Sequence, residues 1–162
     1  MNKYVLKDES SGKWGKFIDD CLKSVFKVVP EDDFNGIEEI LILDECPDSE
    51  YSWAGGFYNA RHDSNPASIE LYPPKIIAAQ PFFLPKTNFF KKYSIIKMFL
   101  HELGHHKYGI SSLETRELQA QEYMVLYLKK LYGNWIYFFD FLAKLDNIFR
   151  NNKISPTPNT PQ

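Results

Sequence analysis

Two histidines and one glutamate in this 162-residue chain have the types and the spacing of a zinc site with a general base. They are His101, Glu102 and His105, which form an HExxH pattern. Residues four apart lie on the same face of a helix, so both imidazoles can bind a single Zn²⁺. Glu102 is rotated by about 100° from His101, where it can take a proton from a water without being a ligand. The pattern predicts a hydrolytic zinc centre, and the alternative is a solvated helix face that carries these residues by chance.

A catalytic zinc normally has three protein ligands and keeps a fourth position open, so a third ligand is expected. A histidine six residues after His105 would indicate one large group of zinc enzymes, but Ser111 stands at that position. That group is therefore excluded. The next predicted helix offers glutamates as ligands instead.

Helical geometry separates the three candidate glutamates, which are Glu114, Glu117 and Glu122. At about 100° per residue, Glu117 lies in the apolar stripe of its helix, whereas Glu122 points about 140° away and is expected to be a solvated surface charge. A buried carboxylate is costly unless it is paired with a cation or bound to a metal. Glu114 has a local role as the capping-box partner of Ser111. Glu117 is therefore the predicted third ligand, and a buried ion pair with Arg or Lys is the alternative.

Two further residues near the motif are expected to support it. Gly104 costs about 1 kcal/mol relative to Ala inside a helix, which suggests that another element approaches closely at this point. Gln121 lies one turn after Glu117, where its amide could hold the free ring nitrogen of a ligand histidine. An ordinary amide at the edge of the helix is the alternative for Gln121.

The elements that must position these residues follow from the apolar periodicity and from the residues that interrupt it. Residues 13–29 have their apolar side chains at helical spacing. Three β-like runs follow at 37–43, 51–59 and 67–72, and the second and third are expected to be antiparallel neighbours. The proline-rich residues 73–85 predict an irregular connection without a long helix.

Three helices are predicted in the second half of the chain. The first covers residues 88–108 and carries the motif, with Asn88 as its N-cap and Gly109 in a left-handed conformation at its end. The second covers residues 111–132 and ends before Gly133, and the third follows at once. The third helix is apolar almost all round, which predicts that it lies in the core.

This order of elements predicts an α+β fold. The small sheet, antiparallel or mixed, would have about three strands, with a backing helix, a motif-bearing helix, a glutamate helix and a C-terminal helix around it. Residues 1–150 are expected to form one domain. Residues 151–162 are rich in Pro, Asn and Thr and are expected to be a disordered tail.

Composition limits the partners and the compartment. A net charge of −2 gives no electrostatic reason to expect binding to nucleic acid. The sequence has no apolar run long enough to span a bilayer and no signal-like N-terminus, so we expect no membrane partner and a cytoplasmic location. The cysteines, Cys21 and Cys46, are expected to be buried thiols rather than a disulfide or metal ligands.

The motif, together with Glu117, Ala120 and Gln121, resembles the gluzincin zinc metallopeptidases. The chain looks closest to the minigluzincins and to the ImmA/IrrE-like metallopeptidases, whose glutamate helix reads E, x, x, A, then Asn or Asp. Gln121 departs from that last residue. The AGGFYN run at residues 54–59, followed by SIELYP, is similar to the strand pair that precedes the active-site helix in that clan. The resemblance covers residues 51–131.

The resemblance implies a zincin-like fold and a zinc-dependent peptidase that acts on a peptide or protein substrate, most simply as an endopeptidase. Zinc would be held by His101, His105 and Glu117, and Glu102 would act as the general base towards a water activated by the metal. The first strand of the pair would form the upper rim of the cleft and bind an extended substrate by strand addition. The residues of this rim are Gly55, Gly56, Phe57 and Tyr58.

Several alternatives to this interpretation share part of the same pattern. The enzyme could be latent, with the C-terminal helix or the tail covering the cleft. A protein of another class, a catalytically silent zinc-binding module that regulates or binds a partner, would carry the same ligands. Peptide deformylases are disfavoured because Glu45-Cys46-Pro47 lacks the glycine of their upstream cysteine motif. A di-iron bundle is disfavoured because the chain has only one ExxH pattern.

Overall fold

The computed structural model describes residues 4–48, 50, 54–61, 66–81, 87–109 and 113–152. These residues form an α+β fold with a four-stranded mixed sheet and five α-helices. The helices are α1 (Gly15–Val25), α2 (Pro73–Ala78), α3 (Asn88–Tyr108), α4 (Leu113–Tyr132) and α5 (Trp135–Asn152).

The sheet has the strand order β1-β2-β4-β3. Its strands are β1 (Val5–Asp8), β2 (Ile37–Ile42), β3 (Gly56–Asn59) and β4 (Ala67–Leu71). β1 and β4 both pair with β2 in parallel, and β3 pairs with β4 in the antiparallel direction that was expected. The two central strands carry the buried apolar residues of the sheet, because their side chains are covered by helices. They are Ile37, Ile40, Ile42, Ala67, Ile69 and Leu71.

The sheet has one strand more than the three that were predicted. β1 was missed because its sequence, VLKD, has no clear alternation of apolar and polar residues. It is an edge strand that joins the sheet through backbone pairing with β2, and such pairing leaves little trace in the sequence.

Two helices support the sheet and the site. α1 packs against the core through Ile18, Cys21, Leu22 and Val25, which follow the i, i+3, i+4, i+7 spacing of one helix face. It is shorter than the predicted 13–29, because residues 26–28 form turns rather than further helix. α3 runs through the core and buries residues on several sides, so its apolar residues do not form one narrow stripe. Its buried apolar residues are Tyr93, Ile95, Ile96, Phe99, Leu100 and Leu103.

The bounds predicted for α3 are confirmed, but both of its predicted caps are wrong. Thr87, not Asn88, occupies the N-cap position, and its side chain makes no capping hydrogen bond. Gly109 has φ −58° and ψ −3°, which is right-handed backbone, so the chain leaves α3 without the left-handed turn that was expected. Gly133, in contrast, has φ +60° directly after α4 and ends that helix as predicted. Ser111 and the tail from residue 153 lie outside the described residues.

The stretch 73–85, predicted to be an irregular connection without a long helix, contains the six-residue helix α2. Pro73 and Pro74 begin this helix, because a proline fits the first helical turn, where its missing N–H would have no partner. The prediction for α5 needs correction, since it is not a core helix on all sides. It buries Ile136 and Phe139, whereas most of its other aromatic side chains are exposed because no described element covers its outer face.

Among the described residues, no helix combines the length and apolarity needed to cross a bilayer.

Candidate metal centre

The structure brings His101, His105 and Glu117 together between α3 and α4. The Nε2 atoms of the two histidines are 3.2 Å apart, and each lies 3.3–3.5 Å from one carboxylate oxygen of Glu117. Taking one ligand atom from each residue, all of them lie within 4.8 Å of one another. Tetrahedral bonds of about 2.0–2.1 Å separate the ligand atoms of a zinc ion by roughly 3.3–3.4 Å. The donor atoms therefore have the spacing and the chemistry that fit a zinc ion.

Close packing of α3 on α4 sets this spacing. A Cβ atom placed on Gly104 would lie 2.7 Å from the Cα atom of Ala120 and 3.0 Å from its carbonyl oxygen. Ala120 is one helical turn after Glu117, so the same contact fixes the height at which the carboxylate meets the histidines. The expected close approach at Gly104 is confirmed, and the approaching element is the glutamate helix.

The burial predicted for Glu117 is wrong. Its side chain is 54% exposed, whereas the side chains of His101 and His105 are 22% and 18% exposed. Ala120 and Met124 of the same helix are buried as expected. Glu117 sits near the start of α4, where the helix borders an open cleft instead of the core. The carboxylate therefore faces the histidines from the solvent side, and among the described residues it forms no buried ion pair with Arg or Lys. Glu122 is exposed, as predicted.

The two histidines are held in the form that binds metals. Burial lowers the pKa of both imidazoles, because it penalises the charged form. The neighbouring His105 and Lys97 lower the pKa of His101 further, and Arg116 acts in the same way on His105. The carboxylate of Glu117 opposes these effects without reversing them. Metal binding requires neutral imidazole, so the site is prepared for it.

Glu102 is placed beside the candidate metal centre and is largely shielded from solvent. The residue is 6% exposed, and this burial raises the pKa of its carboxyl group to about 7. A hydrogen bond from the backbone N–H of Tyr58 lowers that pKa, and the nearby charge of Glu117 raises it. A carboxyl group that titrates near neutral pH is suited to taking a proton and returning it. The position agrees with the role predicted from the motif.

The backbone of β3 faces the motif along its free edge. Tyr72 donates its N–H to the carbonyl of Gly55 across the β3–β4 pair. Backbone groups alternate in direction along an antiparallel strand, so Gly56 and Tyr58 direct theirs away from β4. Tyr58 uses its N–H to hold Glu102. The remaining outward groups of this edge, including those of Gly56, are placed to pair with an extended peptide.

A cleft of about 1060 Å³ lies along this edge and over the metal centre. All four predicted rim residues line it, as do all three predicted ligands and Glu102. They are Gly55, Gly56, Phe57, Tyr58, His101, Glu102, His105 and Glu117. Gly55 and Gly56 let the strand lie against α3, because a Cβ atom on either would come within 2.7–3.0 Å of Met98. Phe139 and Ala143 of α5 also line the cleft.

Gln121 lines the same cleft and is exposed. Within the described part of the chain, it makes no hydrogen bond to His101 or His105. The role predicted for its amide, holding the free ring nitrogen of a ligand, therefore has no support in this geometry. The alternative, an amide at the helix edge, fits better.

Sequence reasoning did not predict the contact between His106 and Tyr58 beside the motif. His106 bonds through Nε2 to the backbone carbonyl of Asn35 at 2.9 Å and through Nδ1 to the hydroxyl of Tyr58 at 3.0 Å. A carbonyl only accepts, so Nε2 carries the hydrogen and Tyr58 donates to Nδ1. Burial lowers the pKa of His106, which favours this neutral state. His106 thus fastens the rim strand to the end of α3, and only its position beside the motif could have suggested this.

A buried aspartate, also missed, ties the two site helices to the rest of the fold. Asp33 is 5% exposed and accepts hydrogen bonds from Lys107 of α3 at 2.5 Å and from Tyr123 of α4 at 2.8 Å. Tyr127 adds a longer contact of 3.5 Å to the same carboxylate. Tyr123 is therefore engaged behind the site.

Comparisons of this chain with protein-family models, with curated proteins and with solved structures gave no match.

Proposed function

We propose that the chain is a zinc-dependent metallopeptidase of the gluzincin type, similar to the minigluzincins and the ImmA/IrrE-like enzymes. The observation that carries the proposal is the arrangement of three donor atoms at zinc spacing, with a buried carboxyl group and a free strand edge beside them. A metal site alone would not require the strand edge. A peptide-binding edge alone would not require the HExxH residues.

Each part of the cleft has a task in peptide hydrolysis. His101, His105 and Glu117 would hold the zinc, which when bound supplies Lewis-acid polarisation of the scissile carbonyl and of the attacking water. Glu102 takes the proton from that water and returns it to the departing amine. The free edge of β3 holds the substrate backbone extended across the site. The burial of Glu102 keeps bulk water from competing for this proton.

The first experiment measures metal content after purification without added metal, by plasma mass spectrometry. We expect about one zinc per chain in the wild type and a large loss in Glu117→Ala. Glu122→Ala is the matched control, because it removes an exposed glutamate from the same helix away from the cluster. If all three proteins lack zinc and take up none on titration, the distances at the site reflect hydrogen bonds among the three side chains and the proposal fails.

Cleavage of a peptide library by the zinc-loaded protein then separates a peptidase from a silent zinc-binding module. Replacing Glu102 by Gln keeps the shape of the side chain but removes the general base. We expect kcat to fall by about 10²–10⁴-fold, with zinc content unchanged. Zinc binding without cleavage by the wild type would favour the silent module, in which the same ligands have a structural or regulatory role.

A further inference from the structure

The end of the cleft next to Gly55 carries two lysines that the proposed mechanism does not use. Lys97 lies one turn before His101 on α3, and Lys75 belongs to α2. Both line the cleft and both are partly buried. The charge of Lys97 is felt at the metal centre, since it is among the causes that lower the pKa of His101.

The two lysines belong to helices that meet beside Gly55. A Cβ atom on Gly55 would lie 2.7 Å from the Cε atom of Met98 and 3.0 Å from the Cγ1 atom of Ile76. These contacts place α2 and α3 together at the start of β3. Lys75 and Lys97 are the sequence neighbours of these two contact residues, and both line the cleft.

No carboxylate neutralises this pair within the described part of the chain. Glu102 and Glu117 are the acidic residues that line the cleft, and both belong to the metal centre. Lys107, another cleft lysine, is paired with Asp33. Lys75 and Lys97 have no such ion pair among the described residues. They thus leave a local positive charge in a chain whose net charge is −2.

Solvated lysines are the ordinary explanation for such groups, since long side chains reach water easily. Two features argue against it here. Both lysines line a cleft whose surface beside Gly55 is largely apolar, with Ile76 and Met98 among its lining residues. Two like charges on the wall of one cleft repel each other, and an anion bound there would offset both.

We propose that Lys75 and Lys97 form a subsite for a carboxylate of the substrate. This subsite lies beside the metal centre, on the side of Gly55. The inference rests on the proposed function, because it assigns a substrate preference to the same cleft. The carboxylate has two sources with the same chemistry: the side chain of an acidic residue near the scissile bond, or the free C-terminus of a short peptide.

The test compares peptides that differ only in the carboxylate. A Glu residue is moved through each position on both sides of the cleaved bond and is compared with Gln at the same position. Each peptide is made with a free and with an amidated C-terminus. Values of kcat/KM are measured for the zinc-loaded wild type, and Kd is measured by fluorescence anisotropy on the zinc-loaded Glu102→Gln protein, so that binding is read without cleavage.

We expect the wild type to prefer one carboxylate peptide by about tenfold, the size of one charge-assisted hydrogen bond. Lys97→Gln and Lys75→Gln should each reduce this ratio severalfold, and Lys97→Glu should turn it into a preference for a Lys-containing peptide. Lys144→Gln is the matched control, because it removes the same charge from an exposed position of α5 outside the cleft. A ratio does not fall merely because a variant is partly unfolded, so loss of fold cannot mimic the result.

The outcomes separate the two proposals. If the preference is lost on amidation, the C-terminus is the ligand, and if it is lost on Glu→Gln exchange, the acidic side chain is. Cleavage without any preference, or a preference that survives both lysine substitutions, overturns the subsite while the peptidase stands. If nothing is cleaved, the peptidase proposal fails. In that case the binding data decide about the subsite: it is overturned if carboxylate peptides bind the Glu102→Gln protein equally well with and without the two lysines.

Discussion

A single methyl group at position 104 should weaken the metal centre without touching any ligand. In Gly104→Ala the new Cβ atom would lie 2.7 Å from the Cα atom of Ala120, where carbon atoms normally keep about 3.5–4.0 Å. α4 would have to move away by about 1 Å to restore that distance. Metal–ligand distances tolerate only about 0.2 Å. Glu117 lies one turn from the contact and would move with the helix.

The expected magnitudes follow from two opposing effects on stability and one effect on zinc. Alanine gains about 1 kcal/mol over glycine in a helix, whereas overpacking a tight contact costs about 1–3 kcal/mol. The metal-free variant should therefore be close to the wild type or less stable by up to about 2 kcal/mol. The zinc affinity should fall by about 10–100-fold, the usual loss when a ligand is held out of position.

The assay combines urea denaturation of the metal-free protein with competition for zinc against a chromogenic chelator. Gly133→Ala is the matched control: its φ of +60° strains an alanine, but a Cβ atom there meets nothing within 4 Å. It should cost about 1 kcal/mol of stability and leave the zinc affinity unchanged. A Gly104→Ala protein that is more stable than the wild type and binds zinc equally well would refute the close packing of α3 on α4.

Two further predictions concern buried carboxyl groups. Burial raises the pKa of Glu102 to about 7, whereas the ordinary pKa of a glutamate is 4.5. Between these two pH values the folded metal-free protein keeps a proton that the unfolded chain releases. The stability of the wild type relative to Glu102→Gln should therefore fall by about 2–3 kcal/mol from pH 5 to pH 8, as measured by urea denaturation at each pH. A difference that stays constant with pH would contradict the burial of Glu102. Asp33→Asn should destabilise the fold by about 1–3 kcal/mol in thermal denaturation, because Tyr123 and Lys107 lose their charged acceptor. Asp32→Asn, at an exposed neighbouring position, is the control and should change the stability little.

Local geometry explains which parts of the site could be predicted. His101, Glu102 and His105 are placed by one helix, and the i, i+4 relation does not depend on anything outside it. The close approach at Gly104 was also predictable, since a glycine inside a helix is unfavourable without a packing reason. The partner in that contact became known only from the structure.

Glu117 shows the limit of reasoning from one helix. The phase of α4 correctly directed Glu117 towards the side that packs on α3, and the structure places it against both histidines. The angular position of a residue on a helix predicts the direction of its side chain. It does not predict how far the neighbouring helix extends to cover that side chain. The first turns of α4 reach past the core and border the cleft, so a residue on the packed side is still 54% exposed. The residue that meets both histidines was therefore selected, but with an incorrect premise about its burial.

The long-range contacts were beyond the reach of periodicity for a different reason. Asp33 meets Tyr123 across 90 residues of sequence, and His106 meets Tyr58 across 48. Neither pair leaves a repeating pattern, because each is a single contact between separate elements. Yet these contacts act on the site: Tyr58 gives its N–H to Glu102 and its hydroxyl to His106, so the rim strand is fixed to the motif at two points. The distance between the free edge of β3 and the carboxyl group of Glu102 is consequently set by one residue of β3. In the proposed peptidase, a change at His106 should therefore alter substrate binding, although His106 lies outside the group of His101, His105 and Glu117.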